Sequence, residues 1–229
     1  MSSATLRLLV CVPAISACLA AAPTAYAAEV DAETVAARVQ AFYDQTRSVG
    51  ADFVQTYFHK LYSRYDRSDG TVLFVRPGKM RWDYAQPNGK IMISDGKQLR
   101  IYEPGEDGAK GQVFEQKIDR SDLPQALGFL LGTSRLSDDF RFRLLKASGW
   151  KYQGHVLELR PKVKNPAYKQ VLFFVDAHPD RLGVVHRVLI VDHTGNRNKF
   201  EFSHLRFNRP FAKDAFSWRA PKGTRVIRP

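Results

Sequence analysis

The chain has 229 residues, with 35 lysines and arginines against 23 acids and a net charge of +12. The length suits one domain with a substantial core, and the cations stand singly on alternating positions rather than in a stripe, which argues against a nucleic-acid groove and for solvated outer faces of strands. Both cysteines, Cys11 and Cys18, fall in a leader-like first segment, so thiol and disulfide chemistry is excluded from the rest of the chain.

Residues 1–27 carry one cation, Arg7, an apolar run from Leu8 to Leu19, and Ala25-Tyr26-Ala27 as a small-x-small cleavage site, which predicts an export signal. Cutting after Ala27 removes one cation and no acid, leaving a net charge of +11 on residues 28–229, read as one domain. Pro13, Pro23 and the short apolar core argue against a membrane anchor, and no later segment is apolar enough to span a bilayer. An alternative is lipid anchoring at Cys18, because Ile15-Ser16-Ala17-Cys18 resembles a lipobox.

Val30 to Thr46 follows, with Val35, Val39, Phe42 and Tyr43 at helical spacing and Asp31 as N-cap, an amphipathic helix that needs a partner face. From Ala51 the period becomes two. Strands are predicted around Phe53–Tyr57, Val72–Arg76, Lys79–Tyr84, Ile91–Ser94, Gln98–Tyr102, Gln112–Gln116, Phe140–Lys146, His155–Arg160, Lys169–Asp176, Val184–Asp192 and Lys199–His204, many divided by turn signals such as Asp95-Gly96. Between them, Leu123 to Gly132 reads as a short, almost uncharged helix capped by Asp122, which must cover a sheet or a partner. About ten or eleven antiparallel strands are too many for a flat layer. A mainly β (α+β) fold is expected, one curled sheet forming a half-open barrel covered by short lid helices.

Strand parity puts Phe53, Tyr57, Val72, Phe74, Met80, Trp82, Tyr84, Ile91 and Ile93 on the inward face as candidate lining of an apolar cavity. Val35, Val39 and Phe42 of the first helix, with Leu127, Phe129, Leu130 and Leu131 of the second, are the candidate lid. The same parity turns Arg76 inward, where its guanidinium needs acceptors, and the orphan carbonyls of a helix end would supply them. A solvated edge arginine before a strand-ending proline is the bland alternative. Six scattered histidines, no His-Glu-x-x-His and no Gly-x-Ser-x-Gly leave no catalytic residues, metal site or cofactor to nominate. Asp138-Asp139 reads as a cap or loop pair rather than catalytic carboxylates.

The order Phe53-Val54-Gln55, Arg76-Pro77, Trp82, Pro87, Ser94-Asp95-Gly96-Lys97, Tyr102-Glu103-Pro104, Lys169-Gln170, Asp192 to Phe202 and Phe216-x-Trp218-x-x-Pro221-x-Gly223-x-x-Val226 resembles the outer-membrane lipoprotein carrier family, LolA. The resemblance spans nearly all of residues 28–229. It implies a periplasmic, monomeric chaperone and not an enzyme. Its implied partners are triacylated lipoproteins, an inner-membrane exporter and an outer-membrane acceptor, with transient proximity to membranes and no nucleic acid. It also implies that Arg76, at the family's arginine before the strand-ending proline, latches the lid. Met80 departs from the aromatic that many members carry there. A membrane-anchored acceptor or a lipid-sensing half-barrel is the alternative function.

Overall fold

The period-two segments do form strands, and all of them join one sheet. The computed structural model describes residues 30–105, 109–117 and 135–228. The expected Leu123–Gly132 helix, with Leu127, Phe129, Leu130 and Leu131, lies outside the described residues, as does the 1–27 leader. Helix α1 (Ala32–Asp44) starts where its cap was expected, the Asp31 carboxylate accepting from the Thr34 N–H at 2.7 Å.

The strands are β1 (Ser48–His59), β2 (Arg64–Val75), β3 (Lys79–Tyr84), β4 (Ile91–Asp95), β5 (Gln98–Glu103), β6 (Gln112–Lys117), β7 (Phe140–Leu145), β8 (His155–Pro161), β9 (Gln170–Val175), β10 (Val185–Val191), β11 (Arg197–Phe207) and β12 (Arg225–Ile227). Their spatial order is β12-β6-β5-β4-β3-β2-β1-β11-β10-β9-β8-β7. Every neighbour is antiparallel except β12, which runs parallel to β6. The two ends, β12 and β7, do not meet, so the sheet curls without closing. β12 raises the strand number to twelve. It is three residues long with no apolar alternation to mark it.

The curl gives the sheet a concave face, where the main core sits, and a convex face. On the concave face Phe53, Trp82, Phe140, Leu159, Val171 and Phe173 are all buried, together with Val35 and Val39 of α1. On the convex face a smaller cluster of Val156, Leu172, Phe174 and Leu189 is covered by Trp150 and Tyr152 from the turn between β7 and β8. This explains the uninterrupted apolar run Val171–Val175: β9 is buried on both sides. Asp138 and Asp139 close a one-turn helix, Leu136–Asp139, before β7.

Candidate functional site

The concave face is built by register. Val72 sits opposite Trp82, Phe74 opposite Met80 and Gly70 opposite Tyr84, while β1 brings Phe53 opposite Gly70 on one side and Phe202 on the other. Cross-strand partners share a face, so these side chains pack as one aromatic wall. Phe53 meets Trp82 and Tyr84 edge-on, each with ring centroids 4.9 Å apart, and Trp82 meets Phe200 at 5.4 Å. Edge-to-face pairs of this kind add about 0.5–1.5 kcal/mol each beyond area burial. The opening at Gly70 is obligatory, because a Cβ there would run into the Asp83 carbonyl. Burial pushes the Tyr84 hydroxyl up to about 12.

Phe53, Val72, Phe74, Met80, Trp82 and Tyr84 therefore come together; Tyr57 lies on the same face, farther along β1 and half-buried. Ile91 and Ile93 do not join them. They pair with Asp83 and Arg81, so they belong to the convex face, and the concave positions of β4 are Met92 and Ser94. Parity is lost across the turn at Pro87-Asn88-Gly89, and β4 is apolar on both faces because the segment after β11 covers its convex side. There Arg81 donates to the Ala215 carbonyl at 3.0 Å and Trp218 packs on Tyr102 at 5.2 Å.

Helix α1 crosses the mouth of this face. It rests mainly on β7 and β8, with Val35, Val39 and Tyr43 buried, and Phe42 reaches across to Phe207 of β11 edge-on at 4.9 Å. Gly183 (φ +89) lets the chain pass directly beneath the Arg38 carbonyl. At the helix end the Tyr43 hydroxyl accepts the Val185 N–H at 3.3 Å, and burial drives its pKa well above the ordinary tyrosine value. Between this end and the wall lies a small cavity of about 20 Å³, lined by Tyr43, Val49, Ala51, Val72, Phe74, Val185, Val188, Phe202 and Leu205. At most one water fits, and the lining is almost wholly apolar.

Arg76 stands just beyond β2, 19 % exposed, with Nη1 3.5 Å from Oδ1 of Asp44, the last residue of α1. Asp44 Oδ1 also accepts from Gln40 Nε2 at 2.8 Å, and Gln40 Oε1 accepts the Leu136 N–H at 2.8 Å. A polar chain thus links the end of β2, α1 and the turn before β7. The sequence reading had Arg76 seeking helix carbonyls; among the described residues the Asp44 carboxylate stands beside it. Gln40 and Asp44 were missed, although their i,i+4 spacing places them on one face of the helix. A wider open concavity of about 770 Å³ lies between the cations Arg47, Arg76, Lys79, Arg209 and Lys213 and the apolar Val75, Phe211 and Phe216. Among the described residues four histidines each stand beside one acid, His59 beside Asp66, His178 beside Asp180, His186 beside Asp176 and His204 beside Asp52.

Residues 44–219 match the family model of the outer membrane lipoprotein carrier protein LolA. The chain belongs to this family. Among curated LolA relatives, the outer-membrane lipoprotein carrier protein of Nitrosospira multiformis is 28 % identical over 82 % of this chain and 86 % of that one, and that of Ralstonia nicotianae is 32 % identical over 70 % and 69 %. An uncharacterized conserved protein of Thermus thermophilus shares the fold with a TM-score of 0.51 at 13 % identity, over 86 % of this chain and 99 % of that one.

Proposed function

We propose that this protein is a periplasmic carrier that shelters the acyl chains of lipoproteins against its aromatic wall and moves them from an inner-membrane exporter to an outer-membrane acceptor. The observation that carries this reading is the pairing of an apolar concave face with a helix that covers it and is tied across it by half-exposed polar contacts. Three acyl chains expose about 45 methylenes, roughly 35 kcal/mol at ~0.8 kcal/mol per group, so crossing water requires an apolar shelter. Release requires competition. A lid that packs on the wall when cargo is absent occupies the same surface and lowers the net affinity enough for hand-off.

In this reading Val35, Val39 and Phe42 are the lid's apolar contacts, Phe53, Val72, Phe74, Met80, Trp82 and Tyr84 line the wall, and Arg76 with Asp44 holds the lid closed. The small apolar cavity at the end of α1 is where an acyl chain would first wedge between helix and sheet. The role is that of a chaperone, with no bond made or broken. Its test is capture: purified protein mixed with a triacylated lipoprotein should keep it soluble after the detergent is removed, whereas the lipoprotein without its acyl chains should not associate. A lipoprotein that precipitates equally with and without the protein would overturn the reading.

A further inference from the structure

Strand β2 runs on past its neighbour β3, while β1 keeps β11 beside it as far as Phe58, opposite Arg197. β3 pairs with β2 only from Gly70 to Val75, so Arg64 to Arg67 have β1 on one side and no strand on the other among the described residues. The turn that joins them carries Leu61 at 84 % and Tyr62 at 73 % exposure, with Tyr65 at 64 % beside it. Three large apolar side chains at one projecting point are unlike the scattered exposed residues of an ordinary surface. The turn is nonetheless well fixed. Asn196 Oδ1 accepts the Lys60 N–H at 2.9 Å, tying the tip to the turn between β10 and β11, and Phe58 packs on Tyr65 at 4.7 Å.

The charges around the tip are lopsided. Asp66 is engaged by His59 at 2.7 Å and Arg64 at 2.9 Å, and the Asp192 carboxylate is taken up by Thr194, Gly195 and Asn196 of its own loop. Lys60 and Arg67 make no ion pair among the described residues, and Arg197 lies over the Phe58 ring at 4.6 Å. A concavity of about 620 Å³ opens beside the tip between His59, Lys60, Leu61, Tyr62, Thr194 and Asn196, wide enough for a polar headgroup.

We infer that the β1–β2 tip docks the protein on the surface of a bilayer containing anionic lipid, with Leu61, Tyr62 and Tyr65 seated in the interface and Lys60 and Arg67 against headgroup phosphates. Tyrosine at an apolar–polar boundary and unpaired cations beside it are what that boundary selects. The geometry also sets the depth. Asp66 lies two residues into β2, roughly 7 Å from the strand's start at Arg64 at ~3.4 Å per residue, and its ion pairs and the unpaired edge of Arg64 to Arg67 must stay hydrated. Seating is thus confined to the outer ~5–10 Å. The concave row Phe53, Gln55, Tyr57 runs along β1 towards the tip, so docking would present that end of the wall to the membrane.

The purpose of docking rests on the carrier reading, but its test needs no cargo. Cargo-free protein should float with vesicles containing phosphatidylglycerol and remain largely behind with vesicles of phosphatidylcholine alone. Replacing both Leu61→Asp and Tyr62→Ser should weaken flotation by about tenfold or more, and Lys60→Gln with Arg67→Gln by about tenfold, with unchanged thermal unfolding. Tyr62→Trp should retain binding and show a blue-shifted emission difference on vesicles. Indifference of the wild type to phosphatidylglycerol vesicles, or equal flotation of the tip variants, would overturn the inference. Tip variants that float normally yet transfer lipoprotein poorly would also overturn it and point to a protein partner instead. Failure here with normal lipoprotein capture leaves the carrier function standing.

Discussion

Arg76→Leu is the perturbation that bears most directly on how the lid is held. The Arg76 guanidinium is 19 % exposed and Asp44 49 %, with 3.5 Å between them. A fully exposed pair would contribute at most ~1 kcal/mol, and a hydrogen bond to a charged group as much as ~1.5–3 kcal/mol. Partial exposure and the long separation favour the lower end, about 1 kcal/mol for the Asp44 contact, which in the proposed carrier is a factor of about five in the lid's open-to-closed ratio. Uptake of lipoprotein should persist, while release to an outer-membrane acceptor slows by about fivefold, since the empty closed state that drives release is less stable. Asp44→Ala should give a similar defect, and the double variant should be no worse than Arg76→Leu alone. The assay is transfer of a labelled lipoprotein from loaded carrier to acceptor. Unchanged release in Arg76→Leu, or fully additive defects in the double variant, would refute the latch.

Met92→Gln, on the concave face, should weaken binding of a fluorescent acyl probe, whereas Ile91→Gln, its neighbour on the convex face, should leave it unchanged; equal effects in a probe titration would contradict the assigned faces. Gly183→Ala puts a methyl against the Arg38 carbonyl at a positive φ, and should lower stability by more than ~1 kcal/mol in a denaturant titration and raise amide exchange across α1. Burial raises the pKa of Asp176, but the His178 N–H, His186 and Arg181 outweigh it, leaving the folded value below the ordinary 3.8. The resulting stability is present above that value and is lost as pH falls through the folded pKa. Thermal melts below pH 4 should therefore show a shallower acid loss for Asp176→Asn than for the wild type.

The wall was legible because β3 alternates Met80, Trp82 and Tyr84 with Lys79, Arg81 and Asp83, which fixes its inward face, and pairing through the Pro77-Gly78 turn carries that face to Val72 and Phe74 of β2. β4 shows where parity fails. Ile91, Met92 and Ile93 are all apolar, the intervening turn sets which of them faces inward, and only the register with β3 decides it. The far wall of β8 to β10 was similarly opaque, because burial on both faces erases alternation along Val171–Val175. Arg76 was found as an inward cation, but its partner Asp44 is 32 residues away in sequence, and no local pattern announces a contact set by how α1 lies on the sheet. The exposed tip at Leu61 and Tyr62 lies between the predicted strands Phe53–Tyr57 and Val72–Arg76, where no local pattern marks it. Its exposure follows from β3 being only half as long as β2.

The way α1 is attached bears on how it could yield to cargo. The helix rests chiefly on β7 and β8, with Val35, Ala36 and Val39 buried, and each fully buried aliphatic side chain contributes about 1.5–3 kcal/mol; Tyr43 is buried at the other end, beside Val185 and the small cavity against β1 and β2. Across the mouth the attachments include the Phe42 edge against Phe207, the hydrogen bond of the Val185 N–H to the Tyr43 hydroxyl and the partly exposed Arg76–Asp44 pair, each of order 1 kcal/mol. Strong apolar seating on one side and weak contacts on the other make the β2 side the place where the helix separates first. In the proposed carrier, an acyl chain entering beside Tyr43 would displace those contacts together with the buried Tyr43 ring and its hydrogen bond to Val185, a cost still below the tens of kcal/mol that shelter supplies to the cargo. A helix seated as firmly on both walls would lock the cavity shut, and one seated on neither would leave the aromatic wall exposed to water whenever the carrier travelled empty.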